Sequence, residues 1–219
     1  MSLLIAIILL ILLISFKLYN KHKQSKDECV CVVIAEEKHF KEWSEPKLKK
    51  LNLPYMRSDP VYSKLTTYGS PGETGCVLAH QKVWRDASKR YIPTLVLEKD
   101  WTINPNISYT ELRNEIIKAT KSKKDMVRLG YCVYGTNMLC THAYMISPKT
   151  AKKMNSILIG KALDYTFAKA CSEKKISCEY LGGNLNTPNH LFGTGVILQD
   201  RENVKGMRDQ TNKKTKLFY

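Results

Sequence analysis

The sequence predicts an α/β fold: one Rossmann-type domain with a mostly parallel central sheet, preceded by an N-terminal membrane anchor helix. Apolar strand-like runs alternate with amphipathic helical segments along most of the chain, which is the pattern of parallel-sheet folds. The 219 residues are enough for an anchor and one domain with a substantial core. A hydrophobic content of 43% and a charged content of 25% are those of a globular protein.

The anchor is predicted from an apolar run, residues 3–14, which Ser15 and Phe16 extend to about the shortest length that spans a bilayer. No Lys or Arg precedes the run and no small-residue cleavage pattern follows it, so an uncleaved anchor is favoured over a signal peptide. We therefore divide the chain into an anchor at 1–18, a linker at 19–28, a domain at 29–204 and a basic tail at 205–219.

The orientation of the anchor follows from the lysines behind it. By the positive-inside rule they would keep the domain in the cytosol; they are Lys17, Lys21, Lys23 and Lys26. A lumenal domain is the alternative, and Asn106-Ile107-Ser108, an acceptor sequence for N-glycosylation, would report it. Either way, the sequence predicts a single-pass membrane protein.

The net charge indicates the class of partner, and the cysteine spacing indicates the redox state of the thiols. The formal net charge of +15 favours anionic partners, whereas zinc-finger spacing and aromatic-interleaved basic stripes are absent, so no nucleic acid is expected. Seven cysteines at irregular spacing are too few for a disulfide framework, and we expect them to be reduced.

The predicted elements alternate along the domain. Strands are expected at 29–35, 53–57, 93–100, 125–129, 143–146, 176–181 and 196–198, and helices at 38–51 (broken at Pro46), 72–87, 109–120, after Ser147, and from 164 to about 171. Ser147 suits a helix N-cap and the following Pro148 suits the first helical position. The glycine- and asparagine-rich segment 182–195 is expected to be a loop.

The central strand ends in two carboxylates, Glu98 and Asp100. On an extended backbone, residues two apart point to the same side, with Lys99 on the other. Ligands of open α/β sheets bind beyond the carboxyl ends of the strands, and oxygen ligands suit a hard divalent cation. A polar turn without a ligand is the alternative interpretation.

The helix before this strand carries two further candidates. Glu73 lies in its first turn, where a carboxylate interacts favourably with the helix dipole. His80 lies on the apolar stripe that also contains Val77, Val83 and Trp84, where a histidine is usually a core residue.

Three stretches in order resemble glycosyltransferase family 25, the lipopolysaccharide and collagen-type glycosyltransferases. The family pattern "GEIGC..SH...W" is matched by residues 72–84, "LEDD" by Leu97-Glu98-Lys99-Asp100, and "GTHAYVIS" by residues 140–147. An Asp near a following helix corresponds to Asp164, and a late Gln corresponds to Gln199. The resemblance covers about residues 72–201.

The resemblance implies a GT-A type fold and a membrane-anchored hexosyltransferase. Such an enzyme moves a hexose with inversion from a nucleotide-sugar, here a UDP-sugar, to a glycan, protein or lipid acceptor. It implies Mn²⁺ or Mg²⁺ held by Glu98 and Asp100, Asp164 as the catalytic base, and donor or acceptor contacts from Glu73, His80, His142 and Gln199. His190 is an alternative further metal contact.

Two departures from the family pattern motivate a second interpretation. Lys99 replaces the middle carboxylate of "EDD", and Ala35-Glu36-Glu37-Lys38 replaces the family's Asn-Leu-Asp-Arg stretch. The alternative is a catalytically inactive member that serves as a membrane-tethered binding or scaffold module.

Overall fold

The computed structural model describes residues 10–12, 15, 29–134, 137–157, 162–182 and 194–200. Nine strands occur in this part of the chain: β1 (Val30–Ile34), β2 (Tyr55–Ser58), β3 (Thr94–Glu98), β4 (Trp101–Ile103), β5 (Met126–Tyr134), β6 (Asn137–Ile146), β7 (Cys178–Tyr180), β8 (Thr194–Gly195) and β9 (Ile197–Gln199). β4 and β9 form a separate two-stranded antiparallel sheet. The other seven form one sheet in the order β2-β1-β3-β6-β5-β7, with β8 paired to β5.

Along the chain, helices separate β1 from β2, β2 from β3, β4 from β5 and β6 from β7, in keeping with the predicted alternation. Helical segment α1 comprises an α-helix (Glu37–His39), a π-helix (Phe40–Ser44) and a second α-helix (Glu45–Leu51); it is followed by α2 (Pro71–Ala87), α3 (Tyr109–Thr120), α4 (Pro148–Met154) and α5 (Leu163–Ser172). The helical segment is not broken at Pro46, because this proline lies in the first turn of the second α-helix, where no amide hydrogen bond is lost. Ser147 caps α4 by accepting a hydrogen bond from the Thr150 amide, as predicted.

The sheet is mixed, with most strands parallel. β1, β2, β3, β5 and β7 run in one direction, while β6 and β8 run in the opposite one. β6 is antiparallel because β5 and β6 are joined directly, with no helix between them, and such a short connection returns the chain alongside itself. β6 consequently pairs with both β3 and β5 and brings residues 141–144 beside the end of β3.

The core has two layers, one on each face of the sheet. Leu95 and Leu97 point into a layer with α1 and α3, whereas Val96 points into a layer with α2, α4 and α5. This alternation along β3 buries both faces of the strand, which is why its sequence is continuously apolar.

Four cysteines are oxidised, so the expectation of reduced cysteines was wrong for them. Cys132 is bonded to Cys140 and Cys171 to Cys178, whereas Cys29, Cys31 and Cys76 are thiols. Each pair is close in sequence, 8 and 7 residues apart, and the irregular spacing concealed it because folding of a hairpin and of a helix–strand connection brings the partners together.

Most of the predicted anchor, the linker 19–28, the tail 205–219, His190 and most of the loop 182–195 lie outside the described residues. Among the residues that are described, no helix has the length and apolar character needed to cross a bilayer.

Candidate functional site

The candidate site lies at the carboxyl end of β3. This strand ends at Glu98, and Lys99 and Asp100 form a turn before β4 begins at Trp101. The strand alternation used to place Asp100 on the same side as Glu98 therefore stops one residue after the first carboxylate. The position of Asp100 depends on what holds this turn.

A chain of buried side chains ends on the Glu98 carboxylate. The Trp84 indole N–H donates to the Tyr144 hydroxyl oxygen (2.8 Å), and this hydroxyl lies 2.7 Å from His80 Nδ1. His80 Nε2 in turn lies 3.3 Å from Glu98 Oε1. Because indole is only a donor, the Tyr144 hydroxyl oxygen accepts from Trp84, and the two ring nitrogens of His80 face the Tyr144 hydroxyl and the Glu98 carboxylate, so each group in the series has a hydrogen-bond partner.

The same carboxylate oxygen also receives the Thr141 hydroxyl, at 2.6 Å. With His80 and Thr141 both on Oε1, the Glu98 side chain is fixed, and Oε2 makes no hydrogen bond within the described part of the chain. The side chain is 23% exposed, so Oε2 is available for a ligand.

These contacts keep Glu98 ionised. Burial alone would raise the pKa of Glu98, but the hydrogen bond and charge of His80, the Thr141 hydroxyl and the charge of His142 together hold the pKa below its ordinary value. The carboxylate is therefore negatively charged at neutral pH, as a metal ligand must be.

The turn that carries Asp100 is clamped by α1. His39 Nε2 lies 2.6 Å from the Lys99 carbonyl oxygen, and the Trp43 indole N–H and the Lys47 ammonium donate to the Trp101 carbonyl oxygen at 3.0 and 3.2 Å. These three side chains are spaced by four residues and lie on one face of the helical segment. They hold the backbone on both sides of Asp100.

The far side of the turn is fixed by the last strand. The Asp200 amide donates to the Asp100 carbonyl oxygen (2.8 Å), and Gln199, which is buried, pairs with Trp101 in the β4–β9 sheet. Gln199 thus lies beside the predicted metal site, one residue from Asp100 across the strand pair.

The Lys99 side chain is directed towards Glu36. Its ammonium lies 3.7 Å from Glu36 Oε1, just after the end of β1, and the Tyr62 hydroxyl donates to the same Glu36 oxygen. Glu36, in the segment that departs from the family pattern, therefore balances the charge of Lys99.

The Cys76 thiol, near the start of α2, experiences a negative electrostatic potential. Burial raises the pKa of the Cys76 thiol, and the negative charges of Glu98, Asp164, Asp100 and Glu73 raise it further. The roles predicted from the sequence for these four acidic residues stay predictions. The thiol stays protonated in this surrounding, which makes Cys76 a poor ligand for a hard cation.

Asp164 lies in the first turn of α5 and is not its cap. The N-cap residue is Ala162, and Asp164 is half-buried with its Oδ1 accepting only a local bond from the Tyr165 amide (3.2 Å). Its charge acts on Cys76 and also on Arg128, which is buried in β5.

Arg128 is a buried cation near Asp164. Its Nη2 donates to the Cys140 carbonyl oxygen (2.8 Å), and its guanidinium lies 5.9 Å from the ring centroid of Tyr180. Burial lowers the pKa of Arg128, while Tyr180 and Asp164 act in the opposite direction, and a guanidinium remains charged at neutral pH in any case.

Glu73 and His142 have structural contacts as well as a place near the site. Glu73 forms a capping box with Ser70 at the start of α2: the Ser70 amide donates to Glu73 Oε2 (2.6 Å) and the Glu73 amide to Ser70 Oγ (3.2 Å). His142 is buried, and its Nε2 lies 3.1 Å from the Ile197 carbonyl oxygen. Both histidines of the predicted site therefore have defined partners.

Glu98 is the carboxylate of a candidate cation site. Oxygen ligands suit Mn²⁺ and Mg²⁺, and a cation would offset the negative charges that act on Cys76. Ligand atoms of Cys76, His80 and Glu98 lie within 4.8 Å of one another, and Asp100 does not belong to this group. Of these atoms we favour the Glu98 oxygen, because the Cys76 thiol is protonated and His80 is bonded to its neighbours on both ring nitrogens.

No role was predicted from the sequence for Trp84, Tyr144, Thr141 or Arg128. The helical spacing of His80 and Trp84 indicated a shared face, but nothing in it indicated a hydroxyl from a distant strand between them. Arg128 interrupts the apolar run of β5, and a charged residue inside a predicted buried strand was the available signal.

Comparisons with known proteins assign this chain to no family. No protein-family model matches it, and no curated protein matches it. Solved structures that are similar include a glycosyltransferase involved in glycosylation of the major capsid of PBCV-1, at 13% identity and a TM-score of 0.43, covering 70% of this chain and 80% of that one.

Two further structures are similar at the same level. A mutant of Drosophila β-1,4-galactosyltransferase 7 in complex with manganese, UDP-Gal and xylobiose has 14% identity and a TM-score of 0.45, covering 79% of this chain and 70% of that one. A putative glucose-1-phosphate thymidylyltransferase from Bacillus anthracis, in complex with sucrose, has 10% identity and a TM-score of 0.38, covering 68% and 65%.

Proposed function

We propose that this chain is a GT-A type glycosyltransferase that moves a hexose from a UDP-sugar to a glycan, protein or lipid acceptor with inversion. The single observation that supports it best is the ionised Glu98 carboxylate at the carboxyl end of β3, which His80 and Thr141 hold on one oxygen while the other oxygen is available for a ligand. The ordered motifs shared with glycosyltransferase family 25 support the same assignment.

In this proposal Glu98 and Asp100 hold Mn²⁺ or Mg²⁺. When bound, the cation neutralises the negative charge that develops on the departing diphosphate. Glu98 offers Oε2, since His80 and Thr141 fix Oε1. Asp100 lies in the turn whose backbone is held by side chains of α1.

Asp164 acts as the general base. It accepts the proton of the acceptor hydroxyl as that oxygen attacks the anomeric carbon, and a half-buried carboxylate in the first turn of a helix can be reached from solvent by an acceptor. The positive charge of the buried Arg128 interacts favourably with this carboxylate. Gln199, His142 and Glu73 line the region and serve donor or acceptor contacts.

The test uses the full-length protein in a nonionic detergent. UDP release is measured across a panel of UDP-sugars with Mn²⁺, with Mg²⁺ and with a chelator. We expect metal-dependent release that Asp100→Asn and Asp164→Asn each reduce at least about a hundredfold. Glu111→Gln, in the capping box of α3 on the other face of the sheet, is the matched control.

The outcomes separate the enzyme from the alternative. Donor binding by calorimetry without turnover on any acceptor would support an inactive binding or scaffold module. Lys99 paired with Glu36 and the altered segment after β1 are the observations that favour this alternative. Full activity in Asp100→Asn would refute the metal assignment.

The membrane anchor, and a cytosolic position of the domain, remain part of the proposal. The measurement is the glycosylation state of Asn106 in a eukaryotic host: an exposed acceptor sequence in a lumenal domain would be modified, and in a cytosolic domain it would not.

A further inference from the structure

Cys132, Cys140 and His142 form a second cluster of metal-ligating side chains, on the β5–β6 hairpin. One ligand atom from each lies within 4.8 Å of the others, and the two cysteines form a disulfide here. The proposed glycosyl transfer does not use its sulfur atoms, whereas His142 also belongs to the surroundings of Glu98.

We propose that reduction of this disulfide creates a zinc site, so that the hairpin is crosslinked by a disulfide in an oxidising compartment and by Zn²⁺ in a reducing one. Two thiolates and one imidazole are a common ligand set for zinc and leave a fourth position for water or another ligand. The proposal does not depend on the proposed enzymatic function.

The backbone positions fit this ligand set. Cys140 and His142 are two residues apart on β6, and Cys132 lies on the paired strand with its Cα 5.5 Å from that of Cys140. Tetrahedral zinc with bonds of about 2.3 Å needs sulfur atoms about 3.8 Å apart. Rotation of the two cysteine side chains is sufficient for that separation.

His142 makes a hydrogen bond of the kind that zinc-ligating histidines commonly make. Its Nε2 lies 3.1 Å from the Ile197 carbonyl oxygen, which only accepts, so the ring proton is on Nε2 and the lone pair on Nδ1. Ligating histidines commonly donate their other N–H to a backbone carbonyl in this way. Gly130 permits this approach, because a Cβ there would lie 2.2 Å from both His142 Nε2 and the Ile197 oxygen.

The charge balance also favours zinc at this buried position. Cys132 and His142 are buried and Cys140 is half-buried. Two thiolates neutralise the charge of Zn²⁺, so the site adds no net charge to the interior. The neighbouring Arg128 guanidinium, which donates to the Cys140 carbonyl, favours thiolates over thiols.

The chemical step is a two-electron reduction. An external dithiol attacks the Cys132–Cys140 bond and becomes a disulfide itself, and the two cysteines gain the two protons and two electrons as thiols. Binding of Zn²⁺ then releases both thiol protons to solvent while two Zn–S bonds form.

Co²⁺ is the spectroscopic probe, with the full-length protein in detergent after reduction by a dithiol and its removal without oxygen. We expect one Co²⁺ per chain with a thiolate-to-cobalt charge-transfer band, displaced by an equimolar amount of Zn²⁺. Protein oxidised with diamide should show no band. Cys132→Ser should abolish it, and His142→Gln should weaken binding at least about tenfold.

The matched control is the double variant Cys171→Ser/Cys178→Ser, which removes the other disulfide; no histidine or carboxylate group lies with that pair in a metal-ligating cluster of the described residues. Its cobalt band should equal that of the parent. Circular dichroism of each reduced protein establishes that it is folded. Absence of the band in folded, reduced parent, or its loss in the control but not in Cys132→Ser, would overturn the proposal.

Discussion

Replacing Glu98 by Gln tests two roles of this carboxylate: as a metal ligand and as the acceptor of hydrogen bonds from His80 and Thr141. The substitution keeps the size of the side chain and lets the amide oxygen remain on His80 and Thr141. It places an NH₂ group, which repels a cation, where Oε2 was available for the metal.

The expected magnitude follows from these two contacts. Each hydrogen bond to a charged acceptor is worth about 1 kcal/mol more than one to a neutral acceptor, so Glu98→Gln should lower the free energy of unfolding by about 2 kcal/mol. For a domain of this size that corresponds to a fall in Tm of about 4–8 °C. Loss of an anionic ligand should lower kcat by about 10²–10³, or about 3–4 kcal/mol in activation free energy.

The pH dependence gives an independent check. The pKa of Glu98 is lower in the folded than in the unfolded state, so its stabilisation is complete above the unfolded pKa and is lost as pH falls through the folded pKa. The difference in Tm between parent and variant should therefore be largest at neutral pH and shrink towards about pH 3.

Thermal unfolding, Mn²⁺ binding by calorimetry and UDP release are the three assays for Glu98→Gln. An unchanged affinity for Mn²⁺ together with unchanged kcat would show that Glu98 is not a ligand. A difference in Tm that stays constant with pH would show that the carboxylate charge does not receive the bonds from His80 and Thr141.

Three further predictions concern the surroundings of the site. Glu73→Gln and Glu111→Gln alter equivalent capping boxes, so both should cost less than about 1 kcal/mol of stability, but only the first should lower turnover; equal kinetics would limit Glu73 to capping. Tyr144→Phe removes the hydroxyl between a buried indole and an imidazole and should lower the free energy of unfolding by about 2 kcal/mol in denaturant titrations. A change below about 0.5 kcal/mol would contradict these two hydrogen bonds. Burial lowers the pKa of Lys47 to about 7, so above that pH the unfolded state binds more protons than the folded state. The free energy of unfolding of the parent should therefore rise from pH 7 to about 9 relative to that of Lys47→Met. Stability profiles of parent and variant that run parallel over this pH range would refute the prediction.

The contacts of α1 with the Asp100 turn show which features could be predicted from the sequence and which could not. Charged residues interspersed with Phe40, Trp43, Leu48 and Leu51 predicted a helix at 38–51 correctly, apart from the break expected at Pro46. They did not show that Trp43 and Lys47 donate to a backbone carbonyl about 55 residues further on, because such a contact depends on how the helix packs against the sheet.

The alternation of helices and strands determined the fold class, the boundaries of most elements and the two-sided burial of β3. These depend on local periodicity and on runs of apolar residues, which a single sequence contains. The ordered motifs also pointed to Glu73, Glu98, Asp100 and Asp164, whose negative charges all raise the pKa of Cys76. Their roles in a site stay predictions.

Only the tertiary structure decided the direction of β6 and the contacts that follow from it. Because β6 returns antiparallel between β3 and β5, it delivers Thr141 to Glu98 and Tyr144 to His80, and it closes the Cys132–Cys140 disulfide. These contacts join residues that are distant in sequence, or whose pairing depends on a hairpin register, so the sequence alone could not determine them.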